Sequence, residues 1–270
     1  MPASLYLVAT PIGNLEDITL RALRVLREAD VIACEDTRQT GKLLAHFGID
    51  KPTVSYHEHN EAARTQELLA RLEAGAQVAL VSDAGTPLIS DPGYRLVTAA
   101  IAAGIPVVPV PGASAVLGAL AAAGLPTDAF RFCGFLPAKS GQRRKALEEL
   151  RKEDCTIIFY EAPHRIVDTL SDVSAVYGDR PVVVARELTK FYEEFLRGTA
   201  DQIGAQLAAR PSVKGEITLL IGKGAPAVAT TSVEEAVREL EKTGLARMDA
   251  IKQVARERGL SKRDVYKQVT

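Results

Sequence analysis

Two polar clusters combine acids and bases at spacings that suit proton transfer or anion binding. Glu161-Ala162-Pro163-His164-Arg165 follows an apolar run and puts an imidazole and a guanidinium where a strand should hand over to a helix. Pro163 reads as the first helical residue. The positive end of that helix, with Arg165, would favour an anion. Glu35-Asp36-Thr37-Arg38 follows another apolar run in the same way, and Glu35 or Asp36 can take a proton or pair with Arg38. Each cluster also has a plainer reading, a capped helix end with solvent-facing charges or a surface ion pair of small energetic weight.

Three further loops share this position after an apolar run. They are Thr10-Pro11-Ile12-Gly13-Asn14, the twelve residues Ser82 to Gly93 (S-D-A-G-T-P-L-I-S-D-P-G), and Pro111-Gly112-Ala113-Ser114; the pair Arg186-Glu187 ends yet another run. In open parallel sheets ligands bind outside the carboxyl ends of the strands. Loops of this kind at one strand end therefore point to one ligand surface. Glycine lets backbone approach a ligand closely, and proline lowers the ordering cost of a loop. Other chemistries are absent or weak. Gly222-Lys223 lacks the remaining residues of a phosphate-binding P-loop. Gly222 to Ala227 matches G-x-G-x-x-A but opens no helix and reads as linker. No G-x-S-x-G elbow occurs, and His57-Glu58-His59 has the wrong spacing for a helical zinc site, so it reads as a polar loop before a helix over 61–74.

The elements that must position these loops are short apolar runs alternating with helical patterns. The runs are Leu5–Ala9, Val31–Cys34, Val78–Val81, Val107–Val110, Phe132–Phe135, Thr156–Tyr160, Pro181–Ala185 and Ile217–Ile221. Fully apolar runs suit strands covered on both faces, as in parallel sheets. The alternation predicts an α/β fold. Breaks near Gly124-Leu125-Pro126 and after Gly222 divide the chain into an α/β domain over 1–124, a second over 125–224 and a helical tail over 225–270. In the tail, Val233, Val237 and Leu240 make one apolar face; Ala250, Ile251, Val254 and Ala255 a second; Val265, Tyr266 and Val269 a third. Ser232 and Glu235 form a capping box, and Gly244 and Gly259 read as helix stops.

The 270 residues are 47% apolar and 25% charged with a net charge of −1, which excludes a disordered chain and a global polyanion-binding field. Any nucleic-acid surface is local. Residues 246–270 carry seven basic side chains (Arg247, Lys252, Arg256, Arg258, Lys262, Arg263, Lys267) against three acidic ones, a net of +4, in a helix-turn-helix outline suited to phosphate contact or to a solvated face. Cys34, Cys133 and Cys155 form no metal-binding or redox pair and read as buried thiols in a reducing cytosol. The opening residues lack a secretory pattern. The uncharged stretch Leu96 to Thr127 is cut by glycines and prolines into globular pieces rather than a membrane span.

At these loops the chain resembles the tetrapyrrole-methylase superfamily. The resemblance rests on Tyr6 to Thr19 (Y-L-V-A-T-P-I-G-N-L-E-D-I-T), on S-D-A-G-T-P-L-I-S-D-P-G and on Tyr160 to Ile166 (Y-E-A-P-H-R-I), with further matches in order to Gly222. Ala9 and Pro11 stand where the superfamily more often has glycine. The nearest branch methylates small-subunit ribosomal RNA. The resemblance implies two α/β domains with S-adenosylmethionine folded in the cleft between them, 2′-O-methylation of a cytidine with the RNA or the 30S particle as partner, no metal, and a cytoplasmic homodimer. By position it places Ile12, Asp83, Thr86, Leu88, Ser114, Ala115, Ala185 and Ile217 near the donor. For such a reaction Asp36, His164 and Glu187 are candidate bases or orienting groups, and Arg38 and Arg165 candidate phosphate clamps. A superfamily enzyme acting on a small molecule such as a tetrapyrrole, and a non-catalytic RNA-binding or ribosome-assembly protein, are the alternatives.

Overall fold

The computed structural model describes residues 3–224, 232–257 (side chains as far as Ala255) and 260–269. The chain forms two compact units, residues 1–222 and 223–270. The first unit holds two five-stranded sheets with alternating helices, an α/β fold.

The first sheet is built from β1 (Ser4–Val8), β2 (Val31–Cys34), β3 (Thr53–Ser55), β4 (Gln77–Val81) and β5 (Val107–Val110), in the order β3-β2-β4-β1-β5, all parallel. Its crossover helices are α1 (Leu20–Glu28), α2 (Thr37–His46), α3 (Glu61–Glu73) and α4 (Tyr94–Ala102). The central strands bury both faces, one against α1 and α2 and the other against α3 and α4. That is why they read as unbroken apolar runs. The segment from Leu96 to Thr127 resolves into α4, β5 and α5 (Ala115–Ala123), and no described helix is long and apolar enough to cross a membrane.

The second sheet has β6 (Phe130–Phe135), β7 (Thr156–Glu161), β8 (Val182–Arg186), β9 (Glu194–Gly198) and β10 (Ile217–Ile221), in the order β6-β7-β10-β8-β9. The apolar runs predict parallel pairing, but only β6 and β7 pair that way. β10 is antiparallel to both β7 and β8, and β9 antiparallel to β8. The cause is connectivity: α6 (Ser140–Glu149) crosses over between the paired β6 and β7, and α7 (Ile166–Tyr177) returns the chain to β8, leaving one strand position open beside β7. A short link folds β9 back on β8, and β10 fills the gap between β7 and β8 in the opposite direction. Burial on both faces, with α6, α7 and α8 (Ala200–Ala208) on one side and α5 on the other, gives the same sequence signature in either direction.

In the second unit α9 (Val233–Lys242), α10 (Arg247–Glu257) and α11 (Lys262–Gln268) enclose Val237, Ala250, Ile251, Val254, Ala255 and Val265. The Ser232–Glu235 capping box is formed in both directions, at 3.1 and 2.8 Å. Gly244, at φ +97°, follows the end of α9. Tyr266 is exposed rather than part of the apolar face. The helix stop at Gly259, the linker residues 225–231, Arg258 and the Arg256 side chain lie outside the described residues. Cys34 and Cys155 are buried thiols; Cys133 is only half-buried.

Candidate functional site

The loops after β1 and β4 are laced together. Thr10 and Gly85 exchange backbone hydrogen bonds at 2.9 and 3.1 Å, and the Thr10 hydroxyl donates to the Ser82 carbonyl. The β4 loop then turns through three left-handed positions, Gly85 (φ +85°), Leu88 (+73°) and Ser90 (+67°). A non-glycine residue held there costs about 1–3 kcal/mol. The Leu88 side chain packs into the first-sheet core and anchors the strained turn. Ile12, Thr86, Ile89 and Asp91 from these loops, and Ser114 and Ala115 at the start of α5, wall a cavity of about 330 Å³.

The other wall comes from the second sheet. A bulge between Phe132 and Phe135, with Gly134 at φ +65°, re-aims Phe135 toward the cavity. Tyr160, Glu161, Ala162 and Pro163 come from the end of β7, Ala185 and Leu188 from β8 and its loop, and Gly215 to Thr218 from the start of β10. The antiparallel direction of β10 brings its amino end beside the carboxyl ends of β7 and β8.

Six of the eight positions expected near a donor line this cavity: Ile12, Thr86, Ser114, Ala115, Ala185 and Ile217. Asp83 lines an adjoining hollow of about 620 Å³ that shares Ile12, Ala84 and Glu216 with it. Leu88 faces the core.

The five polar candidates are placed differently. Asp36 caps α2, accepting from the Arg38 amide at 2.8 Å, while its own amide donates to Asp83. The Arg38 amide bond and charge hold the Asp36 carboxyl below its usual range. Arg38 is 89% exposed and lies 3.7 Å from Asp36. His164 is exposed. Pro163 does not open the helix as expected, because Arg165 closes a turn onto the Ala162 carbonyl and α7 begins at Ile166. Arg165 pairs with the fully buried Glu161 at 3.2 Å and donates to the Leu136 carbonyl, so it braces the turn. Glu187 sits at φ +54° and accepts from Lys190 Nζ (2.8 Å) and the Glu216 amide (3.0 Å); the Lys190 bond leads in holding its carboxyl below the usual range. His57 and Asn60 close the turn before α3 through side chain and backbone.

Asp91, Phe135 and Tyr160 are cavity residues that the motif reading passed over. Burial, then the Glu35 and Asp83 carboxylates, push the Asp91 carboxyl up to about 6 against a hydrogen bond from Ser82. Burial also leads in raising Glu35, with Asp83 and Glu58 adding to it. The available signal was a second aspartate in the longest strand-end loop.

The family model for Tetrapyrrole (Corrin/Porphyrin) Methylases matches residues 4–204. A ribosomal RNA small subunit methyltransferase I from Halalkalibacterium halodurans is 52% identical, covering 97% of this chain and 93% of its own. The chain belongs to the tetrapyrrole methylases, in the ribosomal RNA small subunit methyltransferase I group. A relative of the same name from Synechocystis is 50% identical over 97% of this tetrapyrrole methylase and 95% of its own length. Among solved structures, uroporphyrin-III C-methyl transferase from Thermus thermophilus complexed with S-adenyl homocysteine covers 81% of this chain and 97% of its own, with a TM-score of 0.56 at 20% identity, a likeness of fold. For this methylase the two sheets with their alternating helices are thus the family's own fold.

Proposed function

We propose that this protein transfers a methyl group from S-adenosylmethionine to the 2′-hydroxyl of a cytidine in small-subunit ribosomal RNA. The reading is carried by one cavity walled by loops of both sheets, in a chain half-identical over nearly its whole length to RNA methyltransferases. The cavity, at about 330 Å³, lies within the ~300–1,000 Å³ range of small-molecule sites. Its small residues Ala84, Ala115 and Ala185 leave room for a flat ring. Gly85 at φ +85° and Gly215 at φ +93° bring backbone to its wall, and a Cβ on Gly215 would collide with Glu187. The amino end of α5 at Ser114 and Ala115 presents partial positive charge that suits the donor's carboxylate. Ile12, Thr86, Ser114, Ala115, Ala185 and Ile217 would hold the donor.

When bound, S-adenosylmethionine supplies an electrophilic methyl on a sulfonium. The chain's own task is to align a ribose oxygen with that carbon and to receive its proton. Alignment supplies several kcal/mol, up to about 7–11 in the best cases. The purified protein is expected to place one labelled methyl on ribose in 30S particles from cells lacking the gene, read by nuclease digestion and mass spectrometry. Label on base atoms alone would reject the ribose reading.

The basic helical unit supports an RNA substrate over a small one. Lys252, Lys262, Arg263 and Lys267 lie on helices of a separately packed core. Deleting residues 230–270 is expected to weaken RNA binding tenfold or more and to flatten its salt dependence, by about 0.7–0.9 in slope for each phosphate that the unit neutralises. Filter binding across a salt series checks it; an unchanged slope means that this unit touches no phosphate.

A further inference from the structure

We propose that the Asp91 carboxylate accepts the proton that the substrate hydroxyl loses as it is methylated. The inference rests on the ribose-methylation reading and deepens it by naming the group that completes the site.

Three carboxylates wall the cavity, and two are already committed. Glu161 is fully buried; it accepts from the Ala162 amide (2.8 Å) and the Thr169 hydroxyl (2.7 Å) and pairs with Arg165 at 3.2 Å. Glu216 accepts from Lys190 Nζ at 2.9 Å. Asp91 has no cationic partner among the described residues, and the Ser82 hydroxyl is its hydrogen-bonding neighbour. A carboxylate neutralised by lysine or arginine is a weak base, whereas a half-buried one without a cation is a stronger one. The groups facing Asp91 are Glu35 after β2, Asp83 after β4 and Tyr160 on β7. The two carboxylates raise its proton affinity, which suits a base working near neutral pH.

The surroundings also suit a nucleotide. Tyr160 meets Phe132 edge-on and Phe135 at a tilt, at ring separations of 4.8 and 5.7 Å. Phe135 is 59% exposed and lines the same cavity as Asp91, so an unstacked base has a ring face to lie against. The left-handed Ser90 reaches the second lobe, where a Cβ on Gly134 would lie 3.9 Å from its hydroxyl.

The step balances. A lone pair on the hydroxyl oxygen forms the bond to the methyl carbon, and the carbon–sulfur bond breaks with its pair left on sulfur. The hydroxyl proton passes to an Asp91 oxygen and then to water. One positive and one negative charge vanish together.

The test compares full-length wild type with Asp91→Asn. Donor affinity, by calorimetry, is expected to agree within threefold. Single-turnover ribose methylation is expected to fall by about 10²–10⁴-fold. In the wild type that rate should fall tenfold per pH unit below about 6, and the Asp91 carboxyl carbon of the protein alone should titrate near the same pH. A variant that methylates within threefold of wild type overturns the inference, as does a tenfold loss of donor affinity, which would make Asp91 a donor ligand. If Asp91→Asn does not fold, a wild-type profile flat from pH 5 to 7 overturns it and the stated inflection supports it. Wild type that places no methyl on ribose removes the parent reading and the inference together, an outcome distinct from an active wild type with an active variant.

Discussion

Ala115→Phe is expected to lower S-adenosylmethionine affinity at least a hundredfold while leaving the fold intact. Ala115 is the first residue of α5 and lines the cavity together with Ser114, Ala185 and Ile217. A benzyl group there takes up a substantial part of about 330 Å³. The core neighbours of that helix, Val116, Ala119 and Leu120, are untouched. Intrinsic helix propensity changes by less than about 0.7 kcal/mol, a small penalty beside the ligand effect. The measurement is thermal unfolding with and without donor. At a hundred times Kd a ligand stabilises the native state by about 2.7 kcal/mol, and the variant should lose nearly all of that shift. Leu117→Phe, two residues on and 56% exposed, should keep it. A variant with undiminished donor stabilisation would place the donor elsewhere.

Apolar runs disclosed the central strands, which are buried on both faces and have no polar side to blur them. They also disclosed the edge strands Val107–Val110 and Phe130–Phe135, whose side chains are largely apolar although partly exposed. The two strands they did not disclose have physical reasons for it. Thr53–Ser55 is three partly buried residues at a sheet edge, and Glu194–Gly198 is a half-exposed edge strand whose Glu194 pairs with Arg186 and Arg210. Strand direction was illegible because Ile217–Ile221 would be equally apolar in a parallel sheet. The strand-end loops were legible as a ligand surface through their Gly, Pro and polar residues. Which carboxylate is uncommitted was not, because commitment depends on distant partners. Glu187 and Glu216 share Lys190, and Glu161 is held by an arginine whose role as a clamp and role as a brace look alike in sequence. Asp91 differs from these only in what does not pair with it.

Asp172→Ala is expected to cost about 3–5 kcal/mol of stability, a large share of the ~5–15 kcal/mol typical of a folded domain. Asp172 on α7 pairs with Arg143 and Arg144 of α6 at 2.6 Å and accepts from the Ser140 hydroxyl at 2.9 Å. The Arg143 and Asp172 side chains are only 4% and 3% exposed, so removing the acid strands a buried guanidinium. The cost arises from that stranded charge more than from the attraction, because desolvation offsets most of the Coulomb gain. Arg143→Met with Asp172→Leu should therefore recover most of what Asp172→Ala loses. Burial alone would raise the Asp172 carboxyl, but the bonds from Arg144, Ser140 and Arg143 outweigh it and hold it below the usual range. A carboxyl depressed in the folded state contributes its full stabilisation above the unfolded value, about 3.9, and loses it as pH falls through the folded value. The stability gap between wild type and Asp172→Asn should thus be widest near pH 7 and narrow below about pH 4. Denaturant midpoints at several pH values check both claims, and a gap that widened in acid would show that the pair does not hold α6 to α7 in this way.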